Sequence, residues 1–172
     1  MAMTMKAVAQ GAVQRVVSRP SMWPWIVLCA AIIGALDLGF AIAWWAFEGV
    51  PPIRIFQSVA GWALGREAAI SGGLATAAFG AALQLCIMTV IAATYFGLSR
   101  LDARLRRQPL RWGALYGAIV YVIQHVVIVP YFSAATAPAS SRLDWTLACV
   151  LVYVTLVGIP CALFARAFVR DR

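Results

Sequence analysis

The sequence predicts an all-α fold, an integral membrane bundle of four transmembrane helices with a short amphipathic helix at about residues 53–64. Of the 172 residues, 63% are hydrophobic and only 12% are charged. A soluble domain of this size could not bury so much apolar surface, because small domains have a high ratio of surface to volume. The apolar residues also form four segments long enough to cross a bilayer, which takes about 20 residues each.

The predicted spans form a single membrane domain over residues 1–172. They are Trp25–Phe47, Gly72–Ser99, Trp112–Phe132 and Trp145–Ala165. The first apolar segment is longer than the core of a signal peptide, about 7–15 residues, so we expect it to be retained as a helix. Residues 1–22 precede it, and residues 5–18 have a loose helical period, typical of a helix on the membrane surface.

Basic residues are distributed unevenly between the two sides of the predicted bundle. The net charge is +8, and 11 of the 14 Lys and Arg residues fall before the first span, between the second and third, or after the fourth. The other side carries three arginines and three acids: Arg54, Arg66, Arg142, Glu48, Glu67 and Asp144. This asymmetry predicts a multi-pass protein of the bacterial inner membrane with both termini in the cytoplasm. The basic face would meet anionic headgroups, and nucleic-acid binding is not expected.

The connection between the first two spans contains an amphipathic segment after Pro51 and Pro52. One face carries Ile53, Phe56, Val59 or Ala60, and Ala63 or Leu64, and the other carries Arg54, Gln57, Ser58 and Gly61. This pattern predicts a periplasmic helix lying in the membrane interface and ending at Gly65. It would act as an anchor or cap on the bundle, or as a lid over a cavity between the spans.

Each predicted span carries a polar side chain near its midpoint. Asp37 is the only formally charged residue between Pro20 and Phe47, and it lies one residue from the midpoint of the first span. The other members of this polar layer are Gln84, Tyr121, Gln124, His125 and Thr155. A carboxylate at the bilayer centre costs at least about 2.5–3.5 kcal/mol, so a donor or a cation should compensate it. Either Asp37 forms hydrogen bonds between helices, or Asp37 and His125 titrate on a proton or substrate path.

Small residues recur at helical spacing on the same faces as these polar positions. Such residues let helices approach closely in lipid, where no hydrophobic effect drives association. The expected packing positions are Gly34, Gly73, Ala77, Gly80, Gly113 and Gly117. Pro130 and Pro160 lie within spans and are expected to kink them.

Signatures of catalysis and of metal binding are missing from the sequence. It contains no GxSxG, HExxH or GxGxxG motif and no carboxylate pair on one helical face. Its four cysteines, Cys29, Cys86, Cys149 and Cys161, fall inside spans without the spacing of a zinc site or a disulfide framework. We therefore expect no catalytic residue, no metal and no cofactor. A haem protein is a remote alternative, because haem between helices usually takes two axial ligands and His125 is the single histidine.

Three segments resemble a known group of proteins: residues 35–65, beginning ALDLGFAIAWW, residues 72–100, beginning GGLATAAFG, and residues 111–132, beginning RWGALYGAIV. They are similar to uncharacterised small four-span proteins of bacterial inner membranes, distantly to the YagU-like proteins. Those proteins share a proline-led segment after the first span and a histidine before a proline in the third. The resemblance covers most of residues 28–165 and implies an architecture rather than a mechanism. The flanking loops are shorter here.

The sequence thus favours a non-enzymatic inner-membrane protein that self-associates or serves as an accessory subunit of a larger membrane complex. Its partners would be the lipid bilayer and further membrane subunits, or other copies of itself. The alternative is a transporter or channel for protons or a small solute that uses the polar layer. The two halves of the chain show no matching motifs of the kind found in transporters with inverted repeats.

Overall fold

The computed structural model describes residues 21–134 and 142–169, and the regular structure within these ranges is helical. In chain order the helices are α1 (Trp23–Ala46), α2 (Pro52–Leu64), α3 (Arg66–Ser71), α4 (Gly73–Leu101), α5 (Arg104–Arg107), α6 (Pro109–Phe132) and α7 (Leu143–Phe168). The surface helix predicted at residues 5–18 lies outside the described residues.

Four of these helices, α1, α4, α6 and α7, are long and apolar enough to cross a membrane. The predicted spans begin and end within three residues of them. Only 22% to 39% of the most apolar window of each helix is buried inside the bundle, so most of the apolar surface faces outward. A soluble protein rarely exposes so much contiguous apolar surface, whereas a multi-pass membrane protein does so against lipid.

Prolines and glycines set the boundaries of the helices. Pro52 and Pro109 begin α2 and α6, where the missing amide hydrogen costs nothing because the first turn has no partner for it. Gly65 has φ +81° and ends α2, as the sequence predicts, and Gly73 has φ +61° at the start of α4. These backbone conformations favour glycine, because other residues meet a steric penalty at positive φ. The two glycines therefore allow the chain to turn before and after the short helix α3.

Both prolines within the long helices follow a widened, π-helical turn. The turn Val122–Ile128 precedes Pro130 in α6, and the turn Tyr153–Gly158 precedes Pro160 in α7. A π turn contains one extra residue and changes the pairing of the carbonyl groups that proline leaves without an amide donor. The expected disturbance at these prolines therefore takes the form of wider turns, and these turns contain three of the candidate polar residues, Gln124, His125 and Thr155.

The core lies between α1, α4 and α7. Its fully buried side chains include Cys29, Ile33, Met88, Tyr95, Phe96, Val157 and Cys161. Helix α6 packs against α7 through glycines that bring the two backbones together. A Cβ atom added to Gly113 would lie 2.8 Å from the carbonyl oxygen of Gly158, closer than Cβ atoms approach other heavy atoms in real structures.

The two ends of the bundle differ in charge. The basic end holds the start of α1, the α4–α6 connection and the end of α7, where Trp25 stacks on Phe168 with ring centroids 3.8 Å apart. Its described charges are Arg100, Asp102, Arg104, Arg106, Arg107, Arg111 and Arg166. The charge-balanced end is closed by Trp45 and Trp145, whose ring centroids are 5.1 Å apart. Its described charges are Glu48, Arg54, Arg66, Glu67, Arg142 and Asp144.

The packing of helix α2 differs from the one that its amphipathic pattern predicts. The helix packs closely against α4 instead of resting on the bundle by its predicted apolar face. A Cβ on Gly80 of α4 would overlap the carbonyl oxygen of Phe56 in α2. Gln57 and Gly61, predicted on the polar face, are buried, whereas Leu64, predicted on the apolar face, is 44% exposed. The physical reason is that the α3–α4 turn presents carbonyl groups that need donors, and Gln57 supplies one.

Candidate functional site

A cavity of about 750 Å³ lies at the charge-balanced end between α2 on one side and α6 and α7 on the other. Its volume falls in the range of small-molecule sites, roughly 300–1,000 Å³. The residues that line it and carry polar atoms or aromatic rings are Trp45, Arg54, Gln57, Ser58, Trp62, Arg66, Tyr121, His125, Trp145, Thr146 and Cys149. The cavity thus combines three indole rings with two arginines and the single histidine.

His125 reaches the cavity from the π turn of α6 and is enclosed by aromatic rings. It stacks on Tyr121 at 4.8 Å between ring centroids, and it meets the edges of Tyr153 at 5.1 Å and Trp62 at 6.1 Å. Its Nδ1 atom is buried and lies near the Tyr121 carbonyl group without forming a hydrogen bond of good geometry. The imidazole is therefore oriented by ring packing.

Gln57 connects the cavity to the fold of α2. Its amide nitrogen donates to the carbonyl oxygens of Ile70 at 3.4 Å and Gly73 at 3.0 Å, which ties α2 to the turns around α3. Its side-chain oxygen accepts a hydrogen bond from Arg54 Nη1 at 3.0 Å. A neutral amide therefore positions the Arg54 guanidinium without neutralising its charge.

At the same end of the bundle, Arg142 joins two acidic residues, Glu48 and Asp144. It forms ion pairs with Asp144, at 2.8 Å between Nη2 and Oδ2, and with Glu48, and its guanidinium lies 5.7 Å from the centre of a Trp45 ring. Hydrogen bonds to Asp144 and Glu48 raise the pKa of Arg142, so this side chain stays charged. Two of the three acids at this end, Glu48 and Asp144, are thus paired with Arg142.

The candidate polar residues separate into two groups. In the first, Gln84 Nε2 donates a hydrogen bond to Asp37 Oδ2 at 2.7 Å, which joins α4 to α1. Gln84 is buried and Asp37 is half-buried. In the second group, Tyr121 and His125 line the cavity. Asp37 and His125 do not form an ion pair, so the structure does not bring together the titrating pair that one interpretation requires.

Tyr153 and Cys149 lie between the two groups. Tyr153 is buried and contacts the rings of Tyr121 and His125, and Cys149 lines the cavity. Both are close enough to Asp37 to interact with its charge. Sequence reasoning did not select these residues, because a tyrosine and a cysteine in an apolar segment resemble ordinary core residues.

Gln124 and Thr155 lie outside both groups. Gln124 is 5% exposed, its Nε2 atom has no hydrogen-bond partner among the described residues, and it does not line the cavity. Thr155 is exposed, and its hydroxyl donates to the carbonyl oxygen of Leu151 one turn earlier at 2.7 Å. The Thr155 hydroxyl therefore has its hydrogen-bond partner within α7, and the side chain faces out of the bundle rather than into a polar layer.

The candidate packing positions also have different surroundings. Close backbone contacts surround Gly80, Gly113 and Gly117, and Ala77 is buried. Gly34 faces Met88 at ordinary van der Waals distance. An added Cβ on Gly73 would meet nothing within 4 Å, so this residue serves the turn into α4 rather than a helix contact. Sequence reasoning did not select Gly158, the partner of Gly113 and Gly117, because Pro160 beside it indicated only a kink.

Two of the four cysteines are in contact, although their spacing in the sequence does not indicate it. Cys29 Sγ and Cys161 Sγ lie 3.9 Å apart in the core between α1 and α7. Both are free thiols, as are Cys86 and Cys149. Within residues 21–134 and 142–169, no group of three or more His, Cys, Asp or Glu side chains could hold a metal ion.

Sequence reasoning also missed the tryptophans of the lining and one of its arginines: Trp45, Trp62, Trp145 and Arg66. The available signal was the clustering of tryptophan and arginine at the span ends and in the segments between them, which headgroup anchoring explains equally well. The chain matches no protein-family model, no curated protein and no solved structure.

Proposed function

We propose that the chain is a non-enzymatic, multi-pass protein of the bacterial inner membrane that binds a small molecule in the cavity at its charge-balanced end. Four apolar helices with largely outward-facing surfaces support residence in a membrane. The excess of arginine at the other end supports an orientation with both termini in the cytoplasm. The cavity would then open towards the periplasm.

The observation that carries the proposal is the cavity of about 750 Å³ with convergent polar groups among three indole rings. Ligand sites in proteins typically have this combination of apolar walls and a few well-placed donors. Towards the basic end the bundle is filled by buried side chains such as Tyr95, Phe96 and Val157. A cavity that ends on a packed core favours binding, sensing or an accessory role over open conduction.

The chemistry of the lining favours binding over catalysis. Cys149 and His125 both line the cavity, but they are not hydrogen-bonded to each other, as a nucleophile and its base would be. Asp37 does not line the cavity and accepts a hydrogen bond from Gln84. The lining therefore offers ring faces and hydrogen-bond donors rather than an activated nucleophile.

A substitution that fills the cavity tests this function. Ser58 lines the cavity, whereas Ala63, on the same helix, is exposed and does not. We expect native mass spectrometry of the protein in phosphatidylcholine nanodiscs to detect one bound 1-decanol, the neutral probe, in the wild type and in Ala63→Phe. The Ser58→Phe variant should lose this adduct. Equal adducts in all three proteins would contradict a binding function for the cavity.

Self-association is a second candidate function, and a separate observation favours it. The outward face of α1 carries four small exposed residues at four-residue spacing: Ala31, Ala35, Gly39 and Ala43. A Cβ on Gly39 would meet no atom within 4 Å. Such a stripe allows close approach of another transmembrane helix, and we propose that a second copy of the chain supplies it.

A further inference from the structure

We propose that the cavity selects an amphipathic ligand with one anionic group, a phosphate or a carboxylate, carried on an apolar chain or ring. This inference rests on the proposed binding function and adds the chemical class of the ligand. The relevant juxtaposition is that of Arg54 and Arg66 with the indole rings of Trp45, Trp62 and Trp145 around a single cavity.

The charge of the lining is one-sided. Arg54 and Arg66 line the cavity, and no aspartate or glutamate among the described residues does so. Neither arginine forms an ion pair within the described part of the chain, since the ion pairs of this end belong to Arg142. Two guanidinium groups without a carboxylate partner create a positive potential that attracts an anion. Arginine also presents paired donors that match the oxygens of a carboxylate or a phosphate.

The internal contacts of the cavity maintain this charge. Gln57 holds the Arg54 side chain through a neutral oxygen, so the guanidinium keeps its charge and its other nitrogens. Arg142 holds Glu48 and Asp144 outside the lining. The third acid of this end, Glu67, does not line the cavity. A cationic ligand would therefore meet no compensating charge.

The walls require an apolar body attached to that anion. Besides the indoles, the lining includes Val50, Ile55, Ile70, Val126 and Val129. A small inorganic anion would gain no binding free energy from these apolar walls. An alkyl chain or an aromatic ring would bury apolar surface against them, which contributes about 25 cal/mol per Å² to binding. The imidazole ring of His125 and the phenol ring of Tyr121 also line the cavity.

Anions of this kind have two sources next to a membrane. One is an anionic lipid whose headgroup enters the cavity, and the other is a free amphiphile such as a medium-chain acid. Both present the same chemistry to Arg54 and Arg66, so the experiment needs separate arms for them.

The test uses ten-carbon probes that differ only in the head: decanoate, decyl phosphate, 1-decanol and decyltrimethylammonium. Binding is measured by native mass spectrometry and tryptophan fluorescence in phosphatidylcholine nanodiscs. We expect the two anions to bind about tenfold more tightly than the cation, and the double variant Arg54→Gln/Arg66→Gln to remove that preference. Arg100→Gln removes one charge at the basic end and should leave the preference intact.

The outcomes separate this inference from the proposed function. If decanol and the cation bind as well as the anions, the cavity binds ligands and the anionic preference is wrong. If the wild type binds no probe, so that Ser58→Phe has no binding to remove, both proposals fail. For the lipid arm, phosphatidylglycerol is added to the nanodiscs. If the wild type retains one phosphatidylglycerol and the double variant does not, the ligand is a lipid headgroup. If the wild type binds decanoate but retains no phosphatidylglycerol, the ligand is a free amphiphile.

Discussion

Gln84 donates a hydrogen bond to Asp37 at 2.7 Å and so joins α4 to α1. The carboxylate at the centre of the first span has an amide donor as its partner, and no described residue forms an ion pair with it. This arrangement matches the interpretation of Asp37 as a contact between helices. Asp37 is also not among the residues that line the cavity.

Substitutions of Asp37 should separate hydrogen bonding from charge. Asp37→Asn keeps an oxygen that accepts from Gln84, so the free energy of unfolding should change little. Asp37→Leu leaves the buried Gln84 amide without its acceptor, and we expect a loss of about 1 kcal/mol or more. Reversible unfolding in bicelles measures both changes. Equal stability of the two variants would show that the Gln84–Asp37 hydrogen bond is not stabilising.

Proton flux tests the transport alternative. Because the bundle is filled with buried side chains towards the basic end, we expect liposomes with wild-type protein to conduct no more protons than liposomes with Asp37→Asn or Asp37→Leu. A pH-sensitive dye trapped in the liposomes provides the measurement. Flux that occurs with the wild type and stops with Asp37→Asn would favour a proton path through Asp37 over a purely binding role.

The contact between α6 and α7 should be intolerant of even one methyl group. A Cβ on Gly117 would overlap the carbonyl group of Tyr153, so Gly117→Ala must force the helices apart. We expect a loss of about 1–3 kcal/mol in the free energy of unfolding, the usual range for overpacking. Gly97 is the matched control, because a Cβ there would meet nothing within 4 Å. Gly97→Ala should therefore leave stability unchanged or slightly higher, and equal effects of the two substitutions would contradict the contact.

The Cys29–Cys161 contact allows a direct test of how α1 packs on α7. In a Cys86→Ala/Cys149→Ala background, iodine should oxidise the two remaining thiols to a disulfide, with release of two protons and reduction of iodine to iodide. The short distance of 3.9 Å between the sulfur atoms favours this intramolecular product. Mass spectrometry should record the loss of two hydrogens, and the denatured protein should no longer react with maleimide. Two reactive thiols after oxidation would contradict the packing of these helices.

The exposed stripe on α1 predicts how self-association responds to a bulky residue. Gly39→Leu should block close approach of a second copy, so a wild-type dimer would become a monomer in lipid vesicles. Single-molecule photobleaching of labelled protein counts the subunits. Gly97→Leu adds the same bulk to an exposed position on α4 and should leave the dimer intact. A wild type that is monomeric at every protein-to-lipid ratio would exclude this candidate function.

The sequence by itself determined the four apolar helices, the glycine that ends α2 and the charge difference between the two ends. Hydropathy, helix breakers and charge are local properties, and they can be read along the chain without knowing its contacts. Asp37 and Gln84 could also be placed at similar depths, because depth follows from counting residues at 1.5 Å each.

Only the tertiary structure decided which side chains meet. Depth does not fix rotation about the helix axis, so the meeting of Asp37 with Gln84 rather than with His125 could not be derived by counting. Two π turns add a residue to α6 and α7, which shifts later positions by about 100° relative to a regular helix. Likewise, the burial of Gln57 depends on carbonyl groups of the α3–α4 turn, and the cavity depends on side chains from α2, α6 and α7 together.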